Sequence, residues 1–179
     1  MSISKNTNKQ RSGNAAKKVA VFGVSAALAL ALSFFESMLP PLFSLHIGVR
    51  LGLSNVVTMT CAATIGMPYA LTVTLIKGLF AGMTRGFVAM LMSLAGGLLS
   101  AFVVCLLMRL KLGYLVISVI GAVVHNMAQL TLCAFYVSNF GVYIYAPVLA
   151  FLGIIAGCIT GSILCLLAKS KTVSKIKNL

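Results

Sequence analysis

The sequence predicts an all-α polytopic membrane protein: a six-helix transmembrane bundle, helices 2 and 3 short or partly unwound, with both termini cytoplasmic. Three observations predict it. Hydrophobic residues make up 60 % of the 179 and charged residues only 8 %, against roughly 45–50 % and 25 % in soluble domains. The apolar residues gather into runs near the length of a bilayer crossing, about 20 residues. The basic residues are sorted to the two ends, with Lys5, Lys9, Arg11, Lys17 and Lys18 before the first run and Lys169, Lys171, Lys175 and Lys177 after the last. Under the positive-inside rule both ends are cytoplasmic, so the number of crossings is even.

Three regions follow from this sorting. Residues 1–18 are polar and read as a disordered basic cytoplasmic tail. Residues 19–168 form the transmembrane bundle, and 169–179 a second basic cytoplasmic tail. The tails are short and carry no interleaved aromatics, which argues against nucleic-acid binding.

The first apolar run covers about 19–39 and stops at Pro40-Pro41, since proline cannot continue a helix interior. A cleaved leader ending at Ala29-Leu30-Ala31 is the competing reading, set aside because the apolar stretch continues to Leu39. A loop over 40–50 follows. Runs 51–66 and 69–84, separated by Met67-Pro68, are each short for a straight crossing, and the second carries Lys77 in its interior. Two short helices, helices with unwound ends and a re-entrant pair all fit them. Runs 86–108, 114–137 and 145–168 are full-length spans. The connection between spans four and five holds Arg109 and Lys111, charges not used to propose the topology, and it falls on the cytoplasmic side. Eleven basic residues then lie inside and three, Arg50, Lys77 and Arg85, towards the outside.

Those three are the first candidates for a site. Cations at membrane depth are costly unless paired or facing a cavity. Glu36, near the outer end of span one, is the only acidic residue. It can pair with one cation while the others snorkel to headgroups; alternatively, the two left over suit an anionic ligand such as a carboxylate or phosphate. In span five, His125 and Gln129 share a helix face at i,i+4, with Asn126 at i,i+3 from Gln129. Interhelical hydrogen bonding and ligand lining both explain them. His46, in the loop, reaches them only through the fold.

Rows of small residues allow close backbone approach. They occur at Ser93, Gly97 and Ala101, at Gly153, Gly157 and Gly161, and at Gly23, Ala27 and Ala31, with Ala16 and Ala20 at the cytoplasmic entrance. They read as helix-packing rows, and one on an outer face could dock a partner helix. The five cysteines fall in apolar runs without metal-ligand spacing and read as small hydrophobes. The sequence contains no Asp, so a carboxylate-held magnesium–diphosphate centre has no ligands. There is also no P-loop. An enzyme is not expected, and no cofactor or metal is implied.

Over about residues 19–168 the chain resembles the membrane family described as heptaprenyl diphosphate synthase component I or as Gx transporter. That family is itself similar to the substrate-binding S-components of energy-coupling factor (ECF) transporters. The stretches carrying the likeness are Gly48-Val49-Arg50-Leu51-Gly52-Leu53-Ser54-Asn55, Ser93-Leu94-Ala95-Gly96-Gly97-Leu98-Leu99-Ser100 and Gly121-Ala122-Val123-Val124-His125-Asn126-Met127-Ala128-Gln129. The resemblance implies a six-helix bundle in a bacterial cell membrane that binds its ligand from the outer side. It also implies docking, through small residues of the first helix, on a membrane coupling subunit with two ATPases. Ala16/Ala20 or Gly23/Ala27/Ala31 would carry that contact.

The expected function is therefore an S-component-like transport subunit for a small anionic or amphiphilic compound, of phosphorylated or isoprenoid- or quinone-related type. Arg50, Lys77 and Arg85 would meet the anion; Asn55, His125, Asn126 and Gln129 would meet polar groups; Glu36 would be the organising counter-ion. The alternative is a non-catalytic membrane component of polyprenyl diphosphate synthesis, partnered by a soluble prenyltransferase subunit.

Overall fold

The computed structural model describes residues 2–38, 54–110 and 112–169. Among them the chain is all-helical: α1 (Ser2–Met38), α2 (Ser54–Thr64), α3 (Met67–Arg85), α4 (Phe87–Arg109), α5 (Tyr114–Val137), a 3₁₀ helix (Phe140–Tyr145) and α6 (Ala146–Lys169). Four helical stretches are long and apolar enough to cross a bilayer: Ala16–Met38, Phe87–Arg109, Tyr114–Val137 and Phe140–Lys169. At 1.5 Å per residue, α2 is roughly 16 Å long, well short of the ~30 Å hydrocarbon layer.

Helical backbone is described from Ser2 onward, continuous with the first apolar run. Once the apolar run nucleates a helix, extension is cheap, and no proline stands between Ser2 and Met38 to stop it. The expected loop over 40–50 lies outside the described residues, as does the second tail beyond Lys169. The break between the second and third runs also moves. It falls at Ile65-Gly66, with Met67 and Pro68 already inside α3. Proline is tolerated in a first helical turn, where its missing N–H has no intrahelical role. Gly66, at φ 117°, supplies the conformation that turns the chain.

A single residue, Gly86 at φ 93°, joins α3 to α4. The two form an antiparallel hairpin whose register is marked by Gly82 against Met90 and Gly97 against Thr74. α5 packs antiparallel on α4, and α6 on α5; the last pair is the most extensive contact in the bundle. Its closeness comes from three glycines: a Cβ on Gly153, Gly157 or Gly161 would fall 3.1, 2.5 or 2.8 Å from the Cα of Val123, Val119 or Leu115. The backbones touch where no side chain intervenes, which is the packing that works between helices in lipid.

The core is distributed. Ala29, Val57, Cys61, Ala70 and Val73 join α1, α2 and α3. Met59, Val104, Ile117 and Leu164 join α2, α4, α5 and α6. Leu130, Cys133, Ala134, Val142 and Leu149 close the end near the 3₁₀ helix. Large apolar side chains such as Phe102, Leu106, Phe151 and Leu166 point outward, as they should where the solvent is hydrocarbon. Helix hydroxyls return to their own backbone, as with Thr74 Oγ1 to the Ala70 carbonyl at 2.9 Å and Thr160 Oγ1 to Ala156 at 2.8 Å. Each such hydroxyl is thereby satisfied without a partner from outside its own helix. All five cysteines are free thiols.

Candidate functional site: a buried polar centre around Lys77

The inward face of α3 reads Ala70, Val73, Thr74, Lys77, Gly78, Ala81. Helical spacing therefore carries a lysine into the interior along with its apolar neighbours. Lys77 is 4 % exposed and Glu36, on the inward face of α1, 8 %. The Lys77 ammonium donates to Asn55 Oδ1 at 2.8 Å and to Ser54 Oγ at 3.2 Å. The Ser54 hydroxyl in turn donates to Glu36 Oε2 at 3.4 Å. One serine in the first turn of α2 thus links the carboxylate of α1 to the ammonium of α3. This arrangement makes two buried charges tolerable, since each is opposed by the other and hydrogen-bonded.

The second half of the centre comes from α5. His125 and Gln129 are 4 % and 6 % exposed and Asn126 is buried beside them. Gln129 Nε2 and His125 Nε2 lie 3.0 Å apart in a hydrogen bond. Asn126 Nδ2 donates to the Leu149 carbonyl of α6 at 2.9 Å. The His125 ring can lie flat on α4 because residue 96 is glycine; a Cβ there would fall 2.9 Å from the ring and from Gln129 Cγ. Among the described residues Gln129 Oε1 has no hydrogen-bond partner, and the His125 ring lies against the Gly96 backbone. Gly96, against which His125 packs, adjoins Gly97, which lines a cleft together with Asn55, so the two halves belong to one region of the bundle.

The predicted residues are thus divided. Glu36, Asn55 and Lys77 are brought together, and His125 and Gln129 form a second cluster against Gly96. Asn126 turns away to tie α5 to α6. Arg85 stands at the end of α3, eight residues and roughly 12 Å of helix rise beyond Lys77. It is half-buried, its Nε enclosed without a partner among the described residues. Arg50 and His46 lie outside the described residues. Two residues that sequence reasoning assigned no role complete the centre: Ser54, the bridge, and Gly96, the seat of His125. Their signal was membership of two of the stretches that carry the family likeness, beside Asn55 and Gly97.

Between α2 and α4 runs a narrow cleft lined by Asn55, Met59, Ala62, Gly97, Ala101 and Val104, among others. It has room for about one water molecule. Asn55 is shared between this cleft and the Lys77 contacts. Of the small-residue rows, Gly97, Ala101, Gly153, Gly157 and Gly161 are buried between helices, and Ser93 is half-buried. Ala16, Ala20, Gly23, Ala27 and Ala31 behave differently. All five are exposed, at spacings of three and four, on the face of α1 opposite Ala29, Ser33 and Glu36. A Cβ on Gly23 would meet nothing within 4 Å.

Apolar helices of membrane length around a buried, hydrogen-bonded charge centre define a multi-pass helical membrane protein. The chain belongs to the heptaprenyl diphosphate synthase component I family, whose model matches residues 25–167. No curated protein and no solved structure matches it.

Proposed function

We propose that this chain is a substrate-binding membrane subunit, S-component-like, that takes a small anionic or amphiphilic compound into the bundle and is not itself a catalyst. The observation carrying the reading is the buried Lys77 centre. Three helices contribute to holding a charge that lipid would reject, and a fourth adds the buried polar pair His125 and Gln129. Ionisable groups inside a membrane bundle mark ligand pathways far more often than they mark stability. Arg85, and Arg50, which precedes α2 in the sequence, are the further cations proposed for an anionic ligand. With no Asp and a single Glu, the chain lacks the carboxylates that hold magnesium in diphosphate chemistry.

Six crossings with cytoplasmic ends belong to this reading. The antiparallel order of α2 to α6 supports them, as do Arg109 and Lys169 at the same end of the bundle. In a bacterial cell membrane the exposed small-residue stripe of α1 would meet a coupling subunit bearing ATPases. The second reading, a non-catalytic membrane component of heptaprenyl diphosphate synthesis, is favoured by the family's description; its partner would be a soluble prenyltransferase subunit. Gentle solubilisation followed by co-purification separates the two. Recovery of ATPase-bearing partners supports transport, and recovery of an Asp-rich soluble synthase replaces it with the second reading. Ligand binding that survives the Arg50→Ala, Lys77→Met, Arg85→Ala combination would remove the site from both.

A further inference from the structure

We propose that the aromatic turn joining α5 to α6 is a membrane-interface anchor, seated among the headgroups and ester groups of the leaflet opposite Arg109 and Lys169. The inference stands apart from the ligand reading and holds whichever partner the chain has.

Residues 135–145 read Phe-Tyr-Val-Ser-Asn-Phe-Gly-Val-Tyr-Ile-Tyr, so a third of the aromatic side chains, ten Phe and five Tyr in all, fall in this one turn. Its rings face away from the bundle. Phe135 and Tyr136 are exposed, Phe140 is 68 % exposed and Ile144 77 %. They are held in that position by the rest of the turn. Val142 is buried against Leu130, Cys133, Ala134 and Leu149. The Gly141 N–H donates to Asn139 Oδ1 at 2.8 Å, and the Tyr143 hydroxyl donates to Thr131 Oγ1 at 3.2 Å. Phe135 and Phe140 meet edge to face with ring centres 6.3 Å apart. So much contiguous apolar surface on a fixed support marks an interaction face.

Length decides what covers it. α5 and α6 have 24 residues each, roughly 36 Å at 1.5 Å per residue. The hydrocarbon layer is ~30 Å thick, and about 40–45 Å with its headgroup regions. With Tyr114 and Lys169 at one interface, the far ends of both helices therefore reach the opposite headgroup layer and stop within it. No charged residue occurs from 112 to 168, so nothing in the turn draws it out into water. Tyrosine suits this depth, with its ring at the acyl boundary and its hydroxyl among headgroups. Arg85, a cation at the same end, belongs to the α3–α4 hairpin; the aromatic turn carries no charge and needs no anionic lipid. Anchors of this kind set the depth and tilt of the helices they end. The α5–α6 pair, joined through its glycines, is thus fixed in depth as one unit.

The chain contains no tryptophan, so single substitutions in the full-length protein report depth without background. Phe140→Trp and Ile144→Trp probe the turn. Ile159→Trp, on an exposed position roughly 20 Å further along α6, probes the membrane interior. Each is reconstituted in phosphatidylcholine vesicles whose acyl chains are brominated either near the ester or near the methyl end, and iodide is the quencher in the water. Phe140→Trp and Ile144→Trp should lose emission mainly to the shallow bromines, and Ile159→Trp mainly to the deep ones. Adding phosphatidylglycerol should leave the pattern unchanged. Either turn variant suffices if the other does not fold. Quenching of the turn variants by iodide, with brominated lipid ineffective, overturns the inference, the turn then standing in water. Indifference to all three quenchers overturns it too, a protein surface then covering the rings. Shallow quenching that appears only with phosphatidylglycerol would likewise remove a seat built on uncharged aromatics.

Discussion

The Lys77 ammonium donates to Asn55 Oδ1 at 2.8 Å, fastening the middle of α3 to the first turn of α2. With Ser54 passing the connection on to Glu36, a helix too short to cross the bilayer is held by polar contacts at its start. Apolar packing holds it further along, through Val57 and Cys61.

Removing one charge of this centre should cost more than removing both. Lys77→Met leaves Glu36 buried without its opposing cation, and should lower stability by about 3 kcal/mol. Glu36→Gln combined with Lys77→Met should recover most of that loss. Unfolding in mixed micelles measures the three proteins, and additive losses would show that the two side chains act independently.

The glycines of α6 should be far less tolerant than that of α1. Gly157→Ala places a Cβ 2.5 Å from the Val119 Cα, a backbone atom that moves only if α5 and α6 separate. A loss of about 1–3 kcal/mol is expected. Gly23→Ala meets open space and should change stability by less than about 0.5 kcal/mol. Thermal denaturation in detergent compares them directly.

Bulk added to the outer stripe of α1 should disturb partnership and leave the fold alone. Ala20→Leu and Ala27→Leu lie on an exposed face, so the isolated protein should keep its melting temperature. Under the proposed function, recovery of the partner on co-purification should fall. Unchanged recovery would place the docking surface elsewhere.

Single cysteines in a background lacking the native five should report the topology. A thiol reagent that cannot cross the membrane should reach Thr84→Cys, exposed in the last turn of α3, from outside intact cells. Gly113→Cys, exposed before α5, should react only after the membrane is opened. The reverse pattern would invert the proposed orientation.

Much of the helical layout was legible before any coordinates. The runs 86–108, 114–137 and 145–168 lie within a residue of α4, α5 and α6, because a lipid solvent demands long apolar helices and little else competes. The sequence places the α2–α3 break a couple of residues late, since Pro68 reads as a separator whereas a proline near a helix start belongs to the helix. The site was legible only in its parts. Glu36, Lys77 and His125 stood out because charge and polarity at membrane depth are rare, yet no spacing rule relates positions 36, 54, 77 and 125 to one another.

Composition and charge order alone determined that this is a helical membrane protein, since the burial of so much apolar surface and the sorting of Lys and Arg are one-dimensional properties. Tertiary structure decided the partnerships. Ser54 stands between Glu36 and Lys77, and Gly96 admits the His125 ring, because separate helices pack at matching depth. Packing depth is set by contacts between helices, and the periodicity of any one helix carries no record of it.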